Sequence, residues 1–450
     1  MSSPTVRPRR LAVSLAFVVG ASTLSLVAVP ASPAAANIAV SDEVFRVTGS
    51  DVLKLDGHGW GHGHGLSQYG ILGAAKLDKT ADQMTAFYYP GTAKEKVTNP
   101  AIRVLLKADA DSATEVYPAT GLKVTDLAAR DAAGKPLAPT TLPTTLGATR
   151  WRAFTFSEGL KVQYLVEGAW KTFTLNNKTV HTGPIQFSGP AVIRLEQTPV
   201  TINGTKTYSS RDYRGVIRAV RRSATVVHSI NILSMELYLR GVVPRESPAS
   251  WPAAALQAQS ISARSYSHYK RDHIPSGQHY DICDTVMCQV YGGVALYDGA
   301  DKKTAMEADT TTDAIVATAQ VVRTYEGKPI FAEFSASNGG WSTKGDHPYL
   351  IAQRDDWDGV TGSSVHSWKA TVSAAQIQQR FPAVGRLLRM RITERDGNGD
   401  WGGRVKKVVL EGADSEGNPT TVDTTGAGIY GANTWPRSST GLRSSWWRVT

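Results

Sequence analysis

"GVVPRESPASWPAAALQAQSISARSYSHYK", residues 241 to 270, decides how this 450-residue chain is read. It predicts one long helix behind a restrained carboxylate. Ser250 suits an N-cap, Pro252 falls in the first turn, and the alanine-rich run to Lys270 has high helix propensity. Leu256, Gln259, Ala263, Tyr266 and Lys270 trace one stripe along it. Glu246 stands between Pro244 and Pro248, which restrict the backbone on both sides. A glutamate just ahead of a helix has two readings. It satisfies free N–H groups, or it is a reacting carboxyl group. The second reading carries a tension: a helix N-terminus lowers a carboxylate's pKa, whereas a proton donor needs it raised by burial. An apolar pocket built with Trp251 or Tyr266 would resolve it.

Outward from this stretch the texture changes. Short β-rich runs with turn residues between them, such as "IRVLLKA", "TRWRAFTFS" and "AVIRLEQ", fill residues 101–215. They are expected to form a β-rich module inserted into the core or packed beside it. Residues 216–450 are read as the core, returning to strands after the long helix, and 37–100 as an N-terminal segment of that core. Within it, "LSQYGILGAAKL" predicts a helix with Ser67 as N-cap, and "ADQMTAFYYPGT" a second helix stopped by Pro90-Gly91. The fold class is α+β: a mixed core with one long helix after Glu246, plus the β-rich module.

The first 36 residues carry an address. Arg7, Arg9 and Arg10 precede an apolar run from Leu11 to Val29, and Ala34-Ala35-Ala36 offers a cleavage site. Export is expected, by the general or the twin-arginine route, with the membrane touched only through this segment if it is retained. The formal charge of +10 suits an anionic wall or membrane surface rather than nucleic acid, for which no recognised binding motif is present. Cys283 and Cys288 are the two cysteines. In an oxidising compartment they read as one local disulfide, with half of a zinc site as the competing reading.

"GHGWGHGHGLSQYG", residues 57–70, raises a metal question of its own. If extended, it puts His58, Trp60, His62 and His64 on one face. His62 and His64 form a His-x-His pair, yet no carboxylate or cysteine follows at a usual ligand spacing. The other reading is a wall in which bare glycine backbone admits a ligand beside Trp60 and His62.

Residues 238–267 resemble the signature of the stage II sporulation protein D family, which includes the amidase-enhancer LytB proteins. The resemblance rests on Gly241 to Pro244, Glu246, Trp251, Pro252, Ala258, Gln259, Ala263, Arg264 and Tyr266. "DTVMCQVYGG" is similar to a second family element through Cys288, Gln289, Tyr291 and Gly292. "FSASNGGWS" is similar to a third, through Ser335, Ser337, Gly339 and Gly340. "GHGWGHGHGLSQYG" resembles a fourth through His62, Ser67 and Gln68, although that element usually lies near the family's C-terminus. Such a permuted order is tolerable if the chain ends lie close together. Ala254 stands where the family often has glutamate. Met287 stands where some zinc-binding members have a histidine, which weakens the zinc reading of the cysteines.

The resemblance implies a secreted lytic transglycosylase acting on the MurNAc–GlcNAc glycan strands of peptidoglycan. Glu246 would be its catalytic acid, and no cofactor is required. Substrate contacts would come from Gln259, Arg264, Tyr266, Trp60, His62, Ser67, Gln68, Ser335 and Ser337. A hydrolase would instead need a second carboxylate, for which Asp281, Asp284 and Glu333 are the candidates. The alternative to an enzyme is a wall-binding protein that presents glycan to a partner amidase.

Overall fold

The structure, a computed structural model, describes residues 39–202, 205–430 and 442–450. The export segment read at 1–36 lies outside them. Among the described residues no helix is long and apolar enough to cross a membrane.

The architecture is α+β, with five helices placing the site: α1 (Gln68–Lys76), α2 (Ala81–Tyr88), α3 (Met235–Glu246), α4 (Ala253–Asp272) and α5 (Asp309–Ala317). Ser67 caps α1 by accepting the Gly70 N–H, as its sequence predicts. Thr80 and Gln83 close a capping box on α2. Helix α4 opens differently from expectation. Pro252 is its N-cap and no side-chain hydrogen bond closes the end, so Ser250 does not cap it.

Helix α4 is also more deeply buried than a single stripe implies. Ala255, Leu256 and every residue from Ala258 to His268 are buried, although the sequence there is rich in serine. Ser260, Ser262, Ser265 and Ser267 each donate their hydroxyl to the carbonyl four residues back. The polar atoms are thereby satisfied within the helix, and the small side chains let neighbours pack closely.

There are two large sheets, and α3 and α4 pack against the first of them. One has the strand order Ile282–Cys283, Ala101–Leu105, Val227–Ser234, Val216–Arg221, Ile185–Ser188, Lys123–Asp126 and Thr140–Thr141. The other runs from Ala169–Thr172 through Arg150–Phe156 and Ser210–Arg214 to Lys303–Ala305. Strands from 101–215 therefore pair directly with strands from 216–305 in both sheets. One hydrophobic core runs through them, including Val104, Trp151, Phe187, Tyr238 and Ala263.

A second core joins opposite ends of the chain. Ala39–Arg46 pairs with Arg386–Arg395, and Val52–His58 lies between Ser367–Ser373 and Trp446–Val449. Leu55 is in register with Val449, so residues near the two ends are sheet neighbours. Leu53, Leu55, Trp368 and the fully buried Trp447 belong to this core, whereas Leu66 and Ile71 belong to the first. The glycine–histidine motif is one segment that passes from one core to the other.

Candidate functional site

Glu246 is the last residue of α3, with Ser247 as C-cap, and α4 begins seven residues on. The expectation of a carboxylate ahead of a helix N-terminus is corrected by this placement. A helix C-terminus presents carbonyl oxygens, which disfavour an anion instead of favouring it. Burial pushes the Glu246 carboxyl above its ordinary value. Two donors work against that, the backbone N–H of Val290 and the Gln68 amide, with the nearby Arg245 cation a smaller influence in the same direction. Val290 donates to Oε1 at 3.0 Å and Gln68 Nε2 to Oε2 at 3.3 Å. The pKa tension therefore dissolves: burial and the helix end act together, and the two hydrogen bonds restrain the rise.

Each donor has its own support. Val290 follows the short loop closed by the Cys283–Cys288 disulfide. The neighbouring Gln289 is buried and fully engaged with Tyr238, Ser267 and the Ala263 carbonyl. Gln68 opens α1 and reaches Glu246 across 178 positions of sequence. Beside it Tyr69 meets Trp251 edge to face at 5.4 Å, and both rings are partly open.

The motif 57–70 is not extended past His58. Gly59, Gly61, Gly63 and Gly65 all have positive φ, from 61° to 105°. At Gly65 a side chain would collide with the Glu333 carbonyl oxygen. Glycine is needed because the loop must wind tightly against its neighbours. The winding separates the histidines that an extended run would align. His58 stays on its strand and stacks on Trp401, while His62 and His64 converge, their ring centroids 5.0 Å apart. Trp60 is exposed, pairs by backbone with Ser337, and lies under the Arg443 guanidinium.

The serines hold the wall together and do not line it. Ser67 donates to Asp358, Ser337 donates to the same carboxylate at 2.7 Å, and Ser335 accepts the Gly63 N–H at 3.3 Å. Asp358 also accepts the Asn338 N–H and faces His366 at 2.7 Å. Asp358 and Asn338 thus fix the motif to the 334–338 segment. Sequence reading missed both, and an acidic pair at 355 and 358 in a loop is too common a pattern to single them out.

The helix α4 residues divide. Arg264 is completely buried and makes a two-pronged pair with Glu236 at 2.8 and 2.9 Å, with further bonds to the Val321 and Ile315 carbonyls. Its donors are taken by protein, so it orders the core and is not open to a ligand. Gln259 is also buried, below the site, and accepts the Ser247 hydroxyl at 3.4 Å. Tyr266 stacks on Phe331, and its hydroxyl is pushed up by burial and by the charges of both Glu333 and Glu246. Asp281 is spent on Arg103, and Asp284 receives the Lys107 N–H.

Part of this chain is similar in sequence to known proteins. Residues 223–325, which hold α3, Glu246, α4 and Val290, match the model of the stage II sporulation protein family, SpoIID. The chain is 34% identical over 148 residues to the amidase enhancer of Bacillus subtilis (strain 168), covering 32% of this chain and 18% of that protein. It is 28% identical over 247 residues to stage II sporulation protein D of the same organism, covering 46% of this chain and 70% of that protein. An uncharacterized protein of Brachyspira hyodysenteriae is 29% identical over 156 residues, 38% of its length. The chain thus spans well under half of two of these relatives.

Proposed function

We propose that this protein acts at the bacterial cell wall as a lytic transglycosylase, with Glu246 as its single acid and base. The observation that carries the reading is the Glu246 carboxyl itself, which burial raises and two donors restrain. The protonated carboxyl gives its proton to the glycosidic oxygen between MurNAc and GlcNAc. The resulting carboxylate is held by Val290 N–H and Gln68, then takes the proton of the sugar's own C6 hydroxyl as that oxygen closes a 1,6-anhydro ring. Atoms balance without water, so no second carboxylate and no cofactor enter the reaction. The half-open Tyr69–Trp251 pair beside Gln68 offers rings on which a sugar face can rest.

The test is digestion of purified glycan, with and without stem peptides, by wild type and Glu246→Gln. Products with 1,6-anhydro ends from wild type only are expected. Ordinary reducing ends would make the protein a hydrolase. Glycan that is bound but unchanged would favour presentation to a partner amidase, the reading that the amidase enhancer's name supports.

A further inference from the structure

We infer that His62, His64 and Glu333 form a binding site for a divalent, zinc-class cation in the wall of the site. It is separate from the acid–base chemistry of Glu246 and independent of the transglycosylase reading. One donor atom from each of the three residues lies within 4.8 Å of the others. Imidazole nitrogen and carboxylate oxygen bind zinc at about 2.0–2.2 Å, so the edges of a tetrahedral site are about 3.3–3.5 Å. His64 Nδ1 and Glu333 Oε2 already stand 3.2 Å apart. As a hydrogen bond this is long. The His181–Asp126 and His366–Asp358 pairs close to 2.8 and 2.7 Å. As two ligands of one ion, 3.2 Å is close to the required edge.

The frame is rigid. The Glu333 carbonyl accepts both the Leu66 N–H at 3.0 Å and the Tyr89 hydroxyl at 2.9 Å. On the other side of the pair the Thr343 N–H donates to the Gly63 carbonyl at 2.9 Å. Both ligand-bearing backbones are thus tied down before any ion arrives, which limits the ordering cost of binding.

Protonation suits a cation as well. His62 Nδ1 accepts the His64 backbone N–H at 3.0 Å, which holds its proton on Nε2. Coordination through Nδ1 replaces that hydrogen bond. Coordination through Nε2 moves the proton to Nδ1 and breaks it. Arg404, which donates to the Gly61 and Asn338 carbonyls, brings a positive charge into the same wall. His62 is exposed, and the His64 and Glu333 side chains are 31% and 22% exposed, so the remaining coordination position takes water or an oxygen ligand.

The experiment is calorimetric titration of the untagged chain, disulfide intact, with zinc chloride, alongside thermal unfolding with and without zinc. Wild type and Glu246→Gln should each bind one ion and melt higher with zinc. His64→Ala and Glu333→Gln, melting normally without metal, should bind at least about tenfold more weakly and lose the zinc-dependent rise. Absence of saturable binding to wild type overturns the site. So does undiminished binding in both variants, which would place the ion elsewhere. If one variant melts low without metal, the other decides.

Discussion

Replacing Gln68 by methionine tests the site at its most specific contact. The substitution keeps side-chain volume and removes the amide that donates to Glu246 Oε2. The carboxylate then loses a donor while remaining as buried as before. Hydrogen bonds to charged groups contribute about 1.5–3 kcal/mol at good geometry. At 3.3 Å this bond is longer than the 2.7–2.9 Å typical of charge-assisted pairs, so about 1 kcal/mol is a fair value. Since one pKa unit corresponds to about 1.4 kcal/mol, the Glu246 pKa should rise by about 0.7 unit. A proton donor must start protonated, so the alkaline limb of the rate–pH profile should move up by the same amount. The assay is release of 1,6-anhydro products across pH. An independent measurement is the titration of the Glu246 carboxyl by carbon NMR in wild type and Gln68→Met. An unmoved limb with a normally folded variant, or a limb that moves down, would refute the claim that Gln68 stabilises the ionised form.

Three further outcomes follow from packing and charge. Arg264→Met should destabilise the fold by about 3 kcal/mol or more in urea titration, because it strands Glu236 beside a buried core; adding Glu236→Gln should recover part of the loss. Gly65→Ala should cost more than about 1 kcal/mol in thermal unfolding and lower activity by displacing Gln68, since φ is +61° and the new methyl meets the Glu333 carbonyl. Asp355 is buried, and burial together with the Asp358 charge pushes its carboxyl up to about 6 from 3.8. A raised folded pKa gives stabilisation that is complete below pH 3.8 and is lost as pH rises through about 6, an amount on the order of 3 kcal/mol. Asp355→Asn should flatten that part of the stability–pH curve, measured by urea unfolding between pH 4 and 7.

Sequence reading located the long helix, both early helices and the α+β class, because each depends on local pattern. It misplaced Glu246 relative to its helices because Pro244 reads as a breaker. Near the end of α3 the proline loses only its own N–H bond and lets the helix run two residues further. It gave Ser67, Ser335 and Ser337 to the ligand, although all three are buried and hydrogen-bonded inside the wall. Nothing local distinguishes a serine that faces a groove from one that faces a buried aspartate 291 positions away. Arg264 is similar: only the structure reveals that Glu236, one helix back, takes its charge. The glycine–histidine alternation left two readings open for a different reason. Period two implies a strand only if the residues stay extended, and glycine is the residue that need not.

The division of labour around Glu246 bears on why the motif sits where it does. On the proposed reading, a carboxyl that gives a proton and then takes one back needs its pKa held between limits. Here the upward push is local, from burial and the end of α3, while the restraint comes from Val290 beyond the disulfide loop and from Gln68 in the motif. Gln68 is placed by a loop rooted in the second core at His58 and anchored to the first at Leu66 and Ile71. Order along the chain matters little to such a loop; it needs a fixed strand at one end and a fixed helix at the other. Both are present, since Val52–His58 is held between Ser367–Ser373 and Trp446–Val449, and Ser67 caps α1 while bonded to Asp358. The second core, which holds no part of Glu246's own helix, thereby sets one of the two hydrogen bonds that tune it. Loosening Val52–His58 should therefore shift the pH dependence of Glu246 in the same direction as Gln68→Met, although the two changes share no contact.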